Sequence, residues 1–254
     1  MIDLTLWLVF ILVLIRVASF LVASPVFSLR NIPNNVKIGA ALILALVLLP
    51  QIQTGNVLVP DNAVQFAGYV VSETLTGLVL GMAASSIFAA VRMAGQLMDI
   101  QIGFAMAMIV DPANGTQNTL VGQFLYLIGV LLFFSLDIHH LLISALAKSF
   151  DLLAPGGLLI TGQVILNLMK TYFLMFTYAV RMALPVVVVL IISDISLGLI
   201  SKTVPQFNVL MIGFPLKIGV GILTLVLLLP VLATIIGNLF QTMDNQILLL
   251  LGGG

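Results

Sequence analysis

Long apolar runs separated by short polar breaks dominate the chain. Leu4–Phe27 is the first, interrupted by Arg16 and closed by Ser24-Pro25. As a helix it is about 36 Å long at ~1.5 Å per residue, enough to cross a bilayer. Ser28–Lys37 reads as a polar turn containing Arg30, Pro33 and Lys37, and Ile38–Leu49 as a twelve-residue apolar run closed by Pro50. Twelve residues is short for a span, so this run is expected to be buried in protein or re-entrant. Gln51–Asn62 is a loop in which Asp61 or Asn62 is placed to cap the next helix. Val64–Val91 is long and carries Glu73, with small residues four apart at Gly77, Gly81 and Ser85. That stripe lies on one helical face and favours close helix contact. The helix is expected to run on through Arg92–Ile102.

Gly103–Gln123 is the least regular stretch, GFAMAMIVDPANGTQNTLVGQ. Leu120–Leu136 is again apolar. Asp137–Leu153 has the period of an amphipathic helix with His139, His140, Lys148 and Asp151, and Ala154-Pro155-Gly156-Gly157 breaks it. Gln163–Ser193 is apolar around Lys170 and Arg181, with Pro185 as a kink. Asp194–Lys217 reads as a connector, and Ile218–Phe240 is the last long run, kinked at Pro230. Four or five long apolar helices and several shorter ones make an all-α, polytopic membrane-type protein with kinked helices and helical hairpins. A division near Ala154–Gly162 splits it into residues 1–157 and 158–254.

Composition agrees with this. Of 254 residues, 61% are apolar and 7% are charged, nine basic against nine acidic, and the mean hydropathy is +1.27. So few charges cannot cover the surface of a soluble globule. A soluble enzyme, a nucleic-acid binder and a disordered chain are all poor descriptions. With no Cys, disulfides, cysteine-based zinc sites and thiol catalysis are excluded. Asp3 stands where a signal peptide would carry a base, so the first run is expected to be retained. With the N-terminus outside and the spans alternating, Arg30, Lys37, Arg92, Lys202 and Lys217 fall inside, and Lys148 and Lys170 outside.

Arg16, Glu73 and Arg181 stand inside apolar runs, where an unpaired charge costs ~2.5–3.5 kcal/mol. Three readings fit them: an ion or proton pathway, an interhelical or intersubunit ion pair, or escape to the interface. Arg16 lies too deep for easy escape. His139 and His140 are neighbours, which on a helix point about 100° apart and are poorly placed to share one metal. Asp137 and His140 sit at i and i+3 and can share a face. No HExxH, GxSxG or Walker loop is present, so no enzymatic constellation is legible.

Two irregular stretches stand out. Phe104, Met106, Met108, Ile109 and Val110 are flexible and apolar, and are followed by the turn-former Asp111-Pro112-Ala113-Asn114-Gly115. A long irregular segment among membrane helices is sheltered by protein or lines a cavity, and methionines can pack into an imperfect seal. It reads as a constriction or plug, or as an ordinary loop with one buried side. Leu197–Lys217 reads as a tight hairpin in which Pro205, Gln206, Phe207 and Asn208 interrupt apolar sequence, either for assembly or as a simple turn.

Several segments, in order and at the right spacing, resemble the FliR family of flagellar export-gate subunits and its injectisome relatives. They are Ser24–Leu42 (SPVFSLRNIPNNVKIGAAL), Gly95–Pro112 (GQLMDIQIGFAMAMIVDP), Leu132–Phe150 (LFFSLDIHHLLISALAKSF), Ala183-Leu184-Pro185 and Val204–Lys217 (VPQFNVLMIGFPLK). The family often has Asn-Gly before its His, where this chain has Asp137-Ile138, and a Pro soon after the Asp-Pro, where this chain has Asn118-Thr119. The resemblance implies a non-enzymatic, cofactor-free subunit of a helical, pore-forming export gate in the bacterial inner membrane at the flagellar basal body. It implies FliP and FliQ as partners, with FlhB and FlhA nearby, and unfolded flagellar proteins as cargo. It further implies a FliP-like part at 1–157, a FliQ-like hairpin at 158–254, and a pore plug over Phe104–Gly122 that includes Asp111, Pro112 and Gly115. Arg16, Glu73, Arg181, Pro205, Gln206, Phe207, Asn208 and Lys217 become candidates for intersubunit contact. The alternative from another class is a small secondary transporter or ion channel.

Overall fold

A computed structural model describes residues 4–25, 27, 32–52, 60–104, 119–157, 162–203 and 209–250. Among them the regular elements are all helical. They are α1 (Leu4–Ala23), α2 (Asn34–Leu48) with a 3₁₀ turn at Leu49–Gln51, α3 (Ala63–Ile102), α4 (Leu120–Ser135), α5 (Ile138–Leu152), α6 (Gly162–Thr203) and α7 (Val209–Leu250). Five stretches are long and apolar enough to cross a membrane: Leu6–Ala23, Asn34–Gln51, Ala63–Ile102, Gly162–Thr203 and Ile212–Met243. The pair α4 and α5 passes the same test as one span bent by 70°. The all-α polytopic membrane architecture expected from the hydropathy pattern is the one observed.

The chain packs as two compact units, each discontinuous in sequence. One takes the described residues of Met1–Ile87, Asp137–Phe173 and Phe240–Gly254, the other those of Phe88–Leu136 and Leu174–Leu239.

In the first unit α1 buries Val9, Leu12, Val13, Arg16, Val17, Phe20 and Leu21, a stripe at three- and four-residue spacing. Its crossing with α3 is close because Gly77 and Gly81 lack side chains. A methyl at Gly77 would lie 2.0 Å from Ser19 Oγ and 2.3 Å from the Arg16 carbonyl; one at Gly81 would lie 2.5 Å from Ala23 Cβ. Ser85, the third residue of the stripe, donates its hydroxyl to the Met82 carbonyl of its own helix. Gly77→Val is therefore expected to force α1 off α3 and destabilise the protein by about 1–3 kcal/mol. Gly39→Ala, where nothing lies within 4 Å, should be neutral or slightly stabilising. Thermal unfolding in detergent compares the two.

Asn62 caps α3: its Oδ1 accepts the Gln65 N–H at 2.8 Å, and Gln65 Oε1 accepts the Asp61 N–H at 2.8 Å.

Two expectations are corrected. The second apolar run is longer than twelve residues, because Pro33 precedes a helix that takes Asn34, Asn35 and Lys37 into its first turns. With its 3₁₀ turn it reaches spanning length, and Ile38, Ile43 and Val47 are exposed rather than buried in the chain. The connector expected at Asp194–Lys217 is mostly helix: α6 continues to Thr203, and α7, which begins at Val209, contains Pro215. In an apolar setting no water competes for the backbone groups, so a helix persists through Gly198 and Pro215 where a soluble one would end.

Candidate functional site

The deepest charges lie in the first unit and satisfy each other. Arg16 and Glu73 are both fully buried. Arg16 Nε donates to Glu73 Oε2 at 2.5 Å and Nη2 to Oε1 at 2.9 Å, a two-pronged pair. Nη1 donates to the Ser149 carbonyl at 3.0 Å and to its hydroxyl at 3.3 Å, and the guanidinium lies 4.2 Å from the centroid of the Phe150 ring. Glu73 Oε1 also accepts the Gly156 N–H at 2.8 Å. Gly156 has φ +88°, and its Cα hydrogens face the Tyr69 ring. The Ser72 hydroxyl donates to the Gly157 carbonyl. The pair thus fastens α1, α3, α5 and the Pro155-Gly156-Gly157 turn to one another.

In the second unit a carboxylate closes a loop at its base. Asp99, on the last turn of α3, is 2% exposed. Its Oδ1 and Oδ2 accept the Val121 N–H at 3.0 and 3.1 Å, and Oδ2 accepts the Gly122 N–H at 3.2 Å. The Thr119 side chain bonds it as well. Thr119 stands at the N-cap of α4 but makes no cap bond of its own. Asp99 therefore satisfies the orphan N–H groups of α4 from a different helix, and its negative charge faces the positive helix end. Beside it Gly95 meets Gly122 backbone to backbone: a methyl on Gly95 would lie 2.2 Å from the Gly122 Cα. At the other end of the loop, Gly103 leaves α3 with φ +102° and donates to the Asp99 carbonyl at 3.1 Å. The end of α3 and the start of α4 are thus both bonded to Asp99. Phe104 is half-buried at that stem. Met106, Met108, Ile109, Val110, Asp111, Pro112 and Gly115 lie outside the described residues.

The same unit holds the junction of α6 and α7. Lys217 Nζ donates to Asp194 Oδ2 at 2.8 Å, and Gln101 Nε2 donates to the same oxygen at 3.2 Å. A cavity of about 280 Å³ opens beside this pair, lined by Leu197, Gly198, Ser201, Gly213 and Phe214. Pro205, Gln206, Phe207 and Asn208, between the two helices, lie outside the described residues. Arg181 is exposed on α6, 5.7 Å from the centroid of the Tyr178 ring. The carboxylates paired with Lys or Arg among the described residues are Glu73 with Arg16 and Asp194 with Lys217, so Arg181 has no carboxylate among those residues.

One further expectation is corrected. The rings of His139 and His140 do not diverge; their centroids are 4.1 Å apart and the planes 37° apart. The two residues open α5, where no preceding turn restricts their rotamers.

The sequence pattern singled out Arg16 and Glu73 but neither Ser149 nor Gly156, which complete their bonding, and it passed over Asp99. The available signal was a lone acid near the end of a long apolar helix, just before Gly103.

The chain matches the family described as bacterial export proteins, family 1, over residues 7–243. It is 35% identical to the flagellar biosynthetic protein FliR of Bacillus subtilis (strain 168), covering 94% of this chain and 95% of that protein. It is 32% identical to that of Escherichia coli (strain K12), covering 91% and 88%, and 31% identical to that of Aquifex aeolicus (strain VF5), covering 89% and 87%. Similarity of this extent runs through the buried pair, the loop stem and both long C-terminal helices, and on that basis the chain belongs to the FliR family of flagellar biosynthetic proteins.

Proposed function

We propose that this membrane-type component of the flagellar export apparatus forms, with FliP and FliQ subunits, the pore through which unfolded flagellar proteins are secreted, and that Phe104–Gly122 acts as its plug. The observation that carries this reading is the closed stem. Asp99, Gly103 and Gly122 tether both ends of an apolar, Met-rich segment at one point. A segment held in this way can occupy a channel without being carried off by what passes through it.

Assembly is supported by the surface of α6 and α7. Phe173, Leu199 and Leu227 are each more than 60% exposed, and Arg181 is exposed on α6 as well. In this reading residues 1–157 are the FliP-like part and 158–254 the FliQ-like hairpin. Arg181, Lys217 and Pro205–Asn208 face neighbouring subunits, and Arg16 and Glu73 serve assembly indirectly by fixing α1 on α3. FlhB and FlhA complete the export partners in the inner membrane at the basal body. A transporter would need polar groups converging on an open site at the membrane midplane. Arg16 and Glu73 instead saturate each other, which favours the gate.

Native mass spectrometry of the complex, purified in mild detergent after co-expression with the neighbouring genes, tests the assembly. One copy of this chain with several copies of smaller hydrophobic partners is expected. A stable monomer or homodimer in the presence of those partners refutes it. Replacing Met106, Met108 and Ile109 by Gly removes apolar contacts worth ~1.5–3 kcal/mol each. It is expected to raise ion leakage through the assembled complex while secretion is partly kept. Unchanged conductance of the intact complex rejects the plug.

A further inference from the structure

The chain has two histidines and no cysteine, and both histidines stand in the first turn of α5 beside Asp137. We propose that Asp137, His139 and His140 form a binding site for a zinc-class divalent transition ion at the bend between α4 and α5. This site is independent of the gate reading.

Three features carry the proposal. One ligand atom from each of the three residues lies within 4.8 Å of the others, and Asp137 Oδ1 is 3.6 Å from His140 Nδ1. Ligand bonds of about 2.0–2.2 Å in a tetrahedral zinc site put neighbouring donors about 3.4 Å apart. One edge of the polyhedron is therefore near its final length already, and half-buried His139 supplies the third donor from within 4.8 Å.

The donor set is the second feature. Two imidazoles and a carboxylate suit zinc and its neighbours, whereas magnesium and calcium take oxygen ligands. Three protein ligands also leave a fourth position for water or for a group from a partner.

The backbone is the third. Asp137 has φ 56°, the one positive φ at a non-glycine residue among those described. Such a conformation is held at a cost, and costs of this kind concentrate where a side chain must be aimed. Here it joins two helices bent by 70° and delivers the carboxylate beside the two rings. The Asp137 and His140 side chains are more than 70% exposed, so an ion reaches them directly from water. An ion bound there would cross-link the N-cap residue of α5 to the first turn of that helix.

The test uses the full chain in mild detergent, purified through a tag without histidine, stripped with chelator, then titrated with Co²⁺ and competed with Zn²⁺. Because no other imidazole and no thiol is present, intense visible bands of four-coordinate Co²⁺ can arise only here. One Co²⁺ per chain is expected, displaced by one equivalent of Zn²⁺. His139→Gln and His140→Gln should each remove the bands, and Asp137→Asn should weaken binding by ~10-fold or more. Zn²⁺ should raise the melting temperature of the wild type and not of His140→Gln. Far-UV circular dichroism verifies that each variant keeps its helices. The proposal is overturned if wild-type protein of intact helicity leaves Co²⁺ in its aqueous spectrum, or if the bands survive the double His139→Gln, His140→Gln change.

Discussion

Glu73→Leu is expected to destabilise the protein by about 3–5 kcal/mol, the cost of leaving one member of a buried pair alone. Arg16 would keep only the Ser149 carbonyl and hydroxyl as acceptors, and its charge would stay fully buried with no counter-charge. Whole-domain stabilities are typically ~5–15 kcal/mol, so this loss is a large fraction of the total. The double change Arg16→Met, Glu73→Leu should recover much of it, since no charge is then left in an apolar interior. Recovery is incomplete: the Gly156 N–H loses its partner, at ~1–3 kcal/mol for a group left unsatisfied, the Ser149 carbonyl keeps only the Leu153 N–H, and the contact of the guanidinium with Phe150 goes too. Melting temperature in detergent and abundance in the membrane order the three proteins. If the double variant is no more stable than Glu73→Leu, then the bonds to Ser149 and Gly156, rather than the two charges, dominate this part of the fold.

Asp99→Ala is the second large effect. It leaves the Val121 and Gly122 N–H groups without their acceptor in a site that is nearly dry, with a cost of ~2 kcal/mol from lost capping and unmet donors together. The damage is local. Exchange of the Val121 and Gly122 amides should speed up while the amides of α1 stay protected, because the start of α4 opens without the chain unfolding. Asp99→Asn keeps one carbonyl oxygen as acceptor and should retain much of the protection, though it loses the charge facing the helix end. In assembled complexes Asp99→Ala is expected to leak ions, in the same direction as replacing Met106, Met108 and Ile109 by Gly. Faster exchange without leakage would separate the stem from the plug: Asp99 would then be a helix cap whose loss the pore does not register. Leakage from neither variant would reject the plug itself.

These two sites differ in how far they can be read from the chain. Arg16 and Glu73 are conspicuous because charges are rare in apolar runs, and their cost demands a partner somewhere. Which partner is not inferable: 57 residues separate them, and the choice among a pathway, a pair and escape to the interface depends on what α1 packs against. Asp99 gives a weaker signal, since an acid near the end of a helix is ordinary. Its role appears only when α4 returns to bring its N–H groups within reach. The histidines show the converse. Helical geometry predicts divergence, and the position of the pair at the opening of α5 removes the constraint behind that prediction.

The sequence by itself determined the class of protein, the number and rough extent of the long helices, the breaks at Pro25, Pro60 and Pro155-Gly156-Gly157, the close approach at Gly77 and Gly81, and through its ordered motifs the family. These follow from local or one-dimensional physics: hydropathy over about 20 residues, helical period, and the backbone limits of Pro and Gly. Tertiary structure alone decided that Arg16 pairs with Glu73, that Asp99 caps α4, that α6 runs on to Thr203 and α7 through Pro215, and that two compact units are each assembled from separate stretches of chain. Each of these depends on which groups meet in an interior with little water, where a polar atom takes whatever partner the packing brings and the sequence does not record the distance.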